Sequence, residues 1–81
     1  MKLIKLEKYH CSFCNQLGAM LDGLGVPYTS INVEDHPEVA SKYGIMSAPV
    51  LILLDDQDNE IDRVEGFYRD KVEQLLEKFQ A

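Results

Sequence analysis

Two periodicities of apolar residues divide the chain. Leu3-Ile4-Lys5-Leu6 is a short apolar run that predicts a strand, and it leads into a loop at Lys8-Tyr9-His10. From Cys14 the apolar positions Cys14, Leu17, Leu21 and Leu24 recur at intervals of three and four, which is one stripe of an amphipathic helix. That helix should end between Gly23 and Gly25, and Pro27 prevents its continuation. Tyr28 to Val33 alternates and is rich in β-formers, so it predicts a second strand, and the intervening helix implies that the two strands run parallel.

Asp35 and Glu38 have capping-box spacing, Pro37 suits a first helical turn and Gly44 suits the position just past a helix end, which together predict a short second helix. Pro49 precedes Val50-Leu51-Ile52-Leu53-Leu54, an unbroken apolar run expected of a central strand covered on both faces. The polar cluster Asp55 to Asn59 predicts a turn, and Ile61 to Val64 a returning strand that ends before Gly66. Val72, Leu75, Leu76 and Phe79 then mark one buried face of a terminal helix. The order β-α-β-α-β-β-α describes an α/β protein whose mixed four-stranded sheet is covered by three helices on its two faces.

With 81 residues, 46% apolar and 27% charged, the chain should form one folded domain over positions 1 to 81. A domain of this size buries only about 60 to 65% of its unfolded surface, so its core is thin. A net charge of -6 and a pI near 4.7 argue against a nucleic-acid partner. No apolar run approaches the roughly 20 residues that span a bilayer, and charge interrupts the first residues too early for a signal peptide. These features lead us to expect a cytoplasmic monomer that does not engage membranes.

The chain has two cysteines, in Cys11-Ser12-Phe13-Cys14, too few for the disulfide framework of a small secreted domain. Cys11 follows a strand and loop and opens a helix, where unpaired N–H groups and the helix dipole favour a thiolate. Cys14 lies one turn further on, on the apolar stripe, and should be more buried and less reactive. Positions i and i+3 of a helix are about 5 to 6 Å apart at Cβ, whereas a disulfide needs about 3.5 to 4.5 Å, so Cys11 must sit where the helix has not fully begun. A ring this small gains little from loop entropy, which suits repeated opening and closing. The alternatives are two inert thiols, or half of a zinc site, for which the only other plausible nitrogen or sulfur donors are His10, adjacent to Cys11, and the distant His36. His10 could also favour the Cys11 thiolate when protonated, or simply face solvent, and His36 reads as a neighbour of a helix cap.

Cys11-Ser12-Phe13-Cys14 after a first strand, Met46-Ser47-Ala48-Pro49 before a third and Gly66 after a fourth resemble the thioredoxin superfamily over essentially the whole chain. That resemblance implies a cis Ala48-Pro49 bond facing the cysteines, with Ala48 offering its backbone to an incoming peptide. The short length, the stretch from Leu21 to Val33 and Glu65-Gly66-Phe67-Tyr68-Arg69-Asp70 are most similar to glutaredoxin-like redoxins that serve ribonucleotide reductase. The implied function is a thiol-disulfide oxidoreductase that reduces protein disulfides. It would use catalytic Cys11 and Cys14, substrate contacts at Phe13, Ala48, Pro49, Gly66 and Phe67, and Lys8 and His10 as modulators. No bound cofactor or metal is implied beyond the redox-active Cys11-Cys14 disulfide. Electrons would come from NADPH through a thioredoxin reductase-like enzyme or through glutathione. Glu65-Gly66 replaces the Gly-Gly step usual in glutaredoxins, which weakens the glutathione reading, whereas Lys8 matches a basic residue that some of them use for it.

The resemblance also marks a departure: thioredoxins carry a buried acid in the first strand, and the equivalent position here is Lys5. Glu7 could substitute, but both are expected on an exposed strand edge, since unpaired charges are rarely buried. Tyr9, Phe13 and Phe67 could form an apolar collar for docking, or belong to the core and surface in the ordinary way. The acids from Asp55 to Asp62 fail the calcium-loop pattern, because Ile61 stands where glycine is required and Phe67 where glutamate is. Two other function classes remain. One is a non-catalytic binding module, against which the retention of both cysteines argues. The other is an iron-sulfur carrier using Cys11 from two chains with glutathione, which visible absorption would reveal.

Overall fold

The computed structural model describes residues 1 to 80. The elements run β1 (Lys2–Glu7), α1 (Ser12–Gly23), β2 (Thr29–Asn32), α2 (Pro37–Tyr43), β3 (Val50–Leu54), β4 (Glu60–Glu65) and α3 (Arg69–Gln80). They form the expected β-α-β-α-β-β-α order, and the sheet order is β2-β1-β3-β4. β1 and β2 are parallel, while β1 with β3 and β3 with β4 are antiparallel.

The alternation of side chains across the sheet sorts the core into two layers. Leu3, Leu51, Leu53 and Val64 meet Leu17 and Leu21 of α1 and Val72, Leu75 and Leu76 of α3. Ile4, Leu6, Val50, Ile52 and Leu54 point the other way, where Ile45 and the half-buried Val39, Ala40 and Tyr43 of the α2 region cover them. β3 is buried at every position, as its unbroken apolar run requires.

Helix ends follow local chemistry with two corrections. Leu24, expected on the apolar stripe of α1, is instead its C-cap and 57% exposed. The helix stops in a Schellman turn, with Gly25 N–H donating to Asp22 O and Val26 N–H to Leu21 O. Gly25 takes φ +68°, a left-handed conformation that side chains disfavour. α2 begins with Pro37 in its first turn and ends at the left-handed Gly44, but no capping box forms. His36 is the N-cap and makes no side-chain cap, because Asp35 instead accepts the Tyr9 hydroxyl at 2.6 Å.

Polar contacts of two cationic side chains join the outer elements. Arg63 of β4 binds Glu60 and Glu65 and donates to the Tyr43 carbonyl at the end of α2, at 2.9 Å. Lys78 of α3 donates to Asp62 at 2.8 Å. In β4 the register slips beside Leu54, which leaves Ile61 bulged and 46% exposed.

The largest departure from expectation is Lys5. It is not on a strand edge, because β1 lies between β2 and β3, and its side chain is buried. Glu7 is half-buried and pairs with Lys5 at 3.0 Å.

Candidate active site

Cys11 is the N-cap of α1, with extended backbone angles, so it stands just outside the helix as the disulfide spacing demands. Its carbonyl accepts the Asn15 N–H at 3.1 Å and its sulfur accepts the Cys14 N–H at 3.1 Å. The sulfur thus occupies the place where serine or aspartate oxygen ordinarily caps a helix. No acidic residue lies in the first turn, so nothing anionic there opposes negative charge on this sulfur. Cys11 is partly exposed and Cys14 is 2% exposed, on the buried face of α1. The two are joined in a disulfide, with their Cα atoms 5.2 Å apart.

The loop before Cys11 is held from outside the motif. Tyr9 N–H donates to Glu34 at 2.7 Å, and its hydroxyl donates to Asp35, which raises the tyrosine pKa. His10 turns the chain into α1 at φ +54°, a left-handed angle that histidine adopts more readily than most residues, and its side chain is exposed.

The Ala48-Pro49 bond is cis and Pro49 is buried. Gly66 N–H donates to the Pro49 carbonyl at 2.8 Å, which joins the end of β4 to the start of β3. Phe13, Ala48, Pro49, Gly66, Phe67 and Tyr68 line one groove of about 160 Å³. All five of the substrate contacts expected from sequence therefore converge, although they come from three separate stretches of chain. Phe13 is 60% exposed, whereas Phe67 is half-buried against the core. Tyr68 is an addition that no periodicity marks, since it falls between β4 and α3. Tyr9 does not line the groove, so the apolar collar consists of Phe13, Phe67 and Tyr68.

Lys8 lies in a second, smaller groove with Val33, Ala40, Ile45, Met46, Ser47 and Ala48. Ala48 is common to both grooves, and Met46 beside it is fully exposed. Among the described residues no cluster of three or more histidines, cysteines or acids could hold a metal ion. Among the same residues no helix is long and apolar enough to cross a membrane.

Comparison with known proteins points the same way. The family model described as glutaredoxin matches residues 5–57. The SPbeta prophage-derived thioredoxin-like protein YosR of Bacillus subtilis is 37% identical over 78 residues, covering 96% of this chain and 98% of that one. The thioredoxin of Chlamydia caviae is 39% identical over 61 residues, covering 69% of this chain and 59% of its own. In three dimensions the thioredoxin of Malassezia sympodialis superposes with a TM-score of 0.85 at 19% identity, covering 98% of this chain and 74% of that one. The glutaredoxin match alone extends from within β1 to the turn after β3, and the likeness to YosR runs almost end to end in both chains. This chain belongs to the glutaredoxin family, within the thioredoxin superfamily, and is a thiol-disulfide redox protein carrying a Cys-x-x-Cys disulfide.

Proposed function

We propose that the protein is a dithiol electron carrier that reduces disulfides of other proteins, with Cys11 attacking and Cys14 resolving. The asymmetry of the pair supports this reading most directly: Cys11 is partly exposed at a helix N-terminus, while Cys14 is buried. In the reduced protein the Cys11 thiolate attacks one sulfur of the client disulfide. The client bond breaks, a mixed disulfide forms, and the other client sulfur leaves as a thiolate that takes up a proton. Cys14 then loses its proton and attacks the Cys11 sulfur, which expels the second client thiolate and leaves the Cys11-Cys14 disulfide. Two electrons pass to the client.

The groove formed by Phe13, Ala48, Pro49, Gly66, Phe67 and Tyr68 supports an extended, partly apolar peptide as the substrate. Ribonucleotide reductase is the client implied by the resemblance of the Gly66-Phe67 step, and a reducing cytoplasm is the compartment in which such a carrier would be kept reduced. We assign the electron source to NADPH through a flavin-dependent thioredoxin reductase in preference to glutathione. Glu65 adjoins the groove at Gly66, and its carboxylate disfavours an anionic tripeptide there. Arg63 pairs with Glu65 at 3.3 Å and shares itself with Glu60, so the preference is moderate. Following NADPH oxidation with each reductase system, at one concentration of the same disulfide substrate, tests the assignment. Faster turnover with glutathione and its reductase, or unchanged glutathione-dependent activity in Glu65→Gly, refutes it.

A further inference from the structure

Among the described residues Lys5 is the one charged side chain in the core, at 6% exposure. An ammonium is costly to bury, and this one is held by specific partners. It donates to the Cys14 carbonyl at 3.2 Å, pairs with Glu7 at 3.0 Å and lies 5.6 Å from the centre of the Tyr28 ring. α1 is shaped to receive it. Gly18, in the helix interior where glycine is disfavoured, leaves space that an added Cβ would take, 2.8 Å from the Lys5 nitrogen.

The other groups around this ammonium are few. From β1 the charged neighbour is Glu7, and ahead of β2 stands the phenol of Tyr28, whose hydroxyl donates to the Asp22 carboxylate at 2.9 Å. In the sheet, Lys5 is in register with Ser30 on one side and Leu51 on the other. α3 contributes Val72, Leu75 and Leu76 to this layer, all apolar. α1 brings Cys14, whose buried thiol must ionise to resolve a mixed disulfide.

We propose that Lys5 is a positioning residue for the resolving step: its ammonium, held under α1 by Glu7 and seated against Gly18, stabilises the Cys14 thiolate as it attacks the Cys11 sulfur. The inference rests on the reading of Cys14 as the resolving thiol. Burial by itself would raise the Cys14 pKa and slow ionisation, and a cation beside the same residue opposes that rise. Glu7 has the opposite sign and tempers the effect, so the net contribution falls near the low end of the range for a close opposite charge, about one pKa unit.

The test titrates Cys14 by its Cβ carbon shift in reduced, isotope-labelled protein carrying Cys11→Ser, where a single thiol gives an uncoupled curve. Lys5→Met should raise the Cys14 pKa by about one unit, and Glu7→Gln should lower it. A merely structural role for the pair would move both variants the same way, and that result, or a pKa unchanged in Lys5→Met, overturns the proposal. Gly18→Ala provides an independent check should Lys5→Met fail to fold. It keeps the lysine but displaces the ammonium, and must also raise the Cys14 pKa.

The same variants in the two-cysteine protein are then reacted with dithionitrobenzoate, and release of the second thionitrobenzoate reports resolution. Because thiol nucleophilicity rises with pKa, Lys5→Met should resolve roughly three- to fourfold more slowly below the wild-type pKa. It should overtake the wild type at alkaline pH. Profiles that run parallel at every pH overturn the electrostatic role. Release of only one equivalent by the wild type would instead refute Cys14 as the resolving thiol, and so separates failure of the underlying reading from failure of this one.

Discussion

Gly66→Ala tests whether the backbone at the end of β4 shapes the groove. Gly66 has φ +95°, beyond the left-handed region that other residues visit, and its N–H is committed to the Pro49 carbonyl at 2.8 Å. An alanine there cannot relax its φ without losing that bond, and the strain costs about 1 to 2 kcal/mol. Its Cβ would also stand 2.8 Å from Cε2 of Tyr68. That ring is 53% exposed and can swing away at a smaller cost, but doing so removes it from the groove that Phe13 also lines. At about 2.1 cal/mol/K of unfolding entropy per residue, 81 residues give about 0.17 kcal/mol/K, so the strain should lower Tm by about 6 to 12 °C. Calorimetry of the oxidised protein measures this directly. Repeating Gly66→Ala in a Tyr68→Ala background removes the collision and keeps the φ strain, so most of the loss should persist there. A change in stability below about 0.5 kcal/mol in both backgrounds would show that the backbone adapts and that the glycine is not required by its conformation.

Three further outcomes are expected. Cys14→Ser should accumulate a mixed disulfide between Cys11 and a client protein, visible on a non-reducing gel and by mass spectrometry, and Cys11→Ser should not; the reverse pattern exchanges the two roles. Leu51→Ala, at a fully buried position between the two helices and the sheet, should cost about 2 to 5 kcal/mol in urea unfolding, a large part of the roughly 4 to 12 kcal/mol available to a chain of this length, whereas the exposed Ile61→Ala should cost under about 0.5. Lys78 beside Asp62 and Arg63 beside Glu60 hold these carboxyl pKa values below their usual range, so their stabilisation is present above the unfolded pKa, near 4, and is lost as pH falls below it through the folded values. Being partly exposed, each pair should contribute less than about 1 kcal/mol, and Asp62→Asn should flatten the acid limb of an unfolding profile without altering its neutral plateau by more than that.

The helices and strands were legible because their signals are local. The stripe at Val72, Leu75, Leu76 and Phe79 needs only a 3.6-residue period, and the run from Val50 to Leu54 needs only to be apolar to require cover on both faces. The misreadings at Leu24 and Asp35 have local origins too. An apolar residue one step past a helix end continues the periodicity without belonging to it, and a capping spacing does not form a cap when the carboxylate finds a better donor, here the hydroxyl of Tyr9 from a distant loop.

The site divides along the same line. The residue types and spacing of Cys11 and Cys14 were sufficient by themselves to indicate the chemistry, whereas the candidate contacts at Pro49 and Gly66 came from the resemblance to the superfamily. Only the tertiary structure decided that Phe13, Pro49 and Tyr68 share a groove, because β3 and β4 must pair antiparallel to bring Gly66 beside Pro49. Only the strand order decided the fate of Lys5. Nothing in Leu3-Ile4-Lys5-Leu6 distinguishes an edge strand from a central one, and a lysine on an edge would extend into water. With β2 on one side and β3 on the other, and with Gly18 leaving room in the helix above, the ammonium has no short path to solvent and satisfies itself on Glu7 and the Cys14 carbonyl.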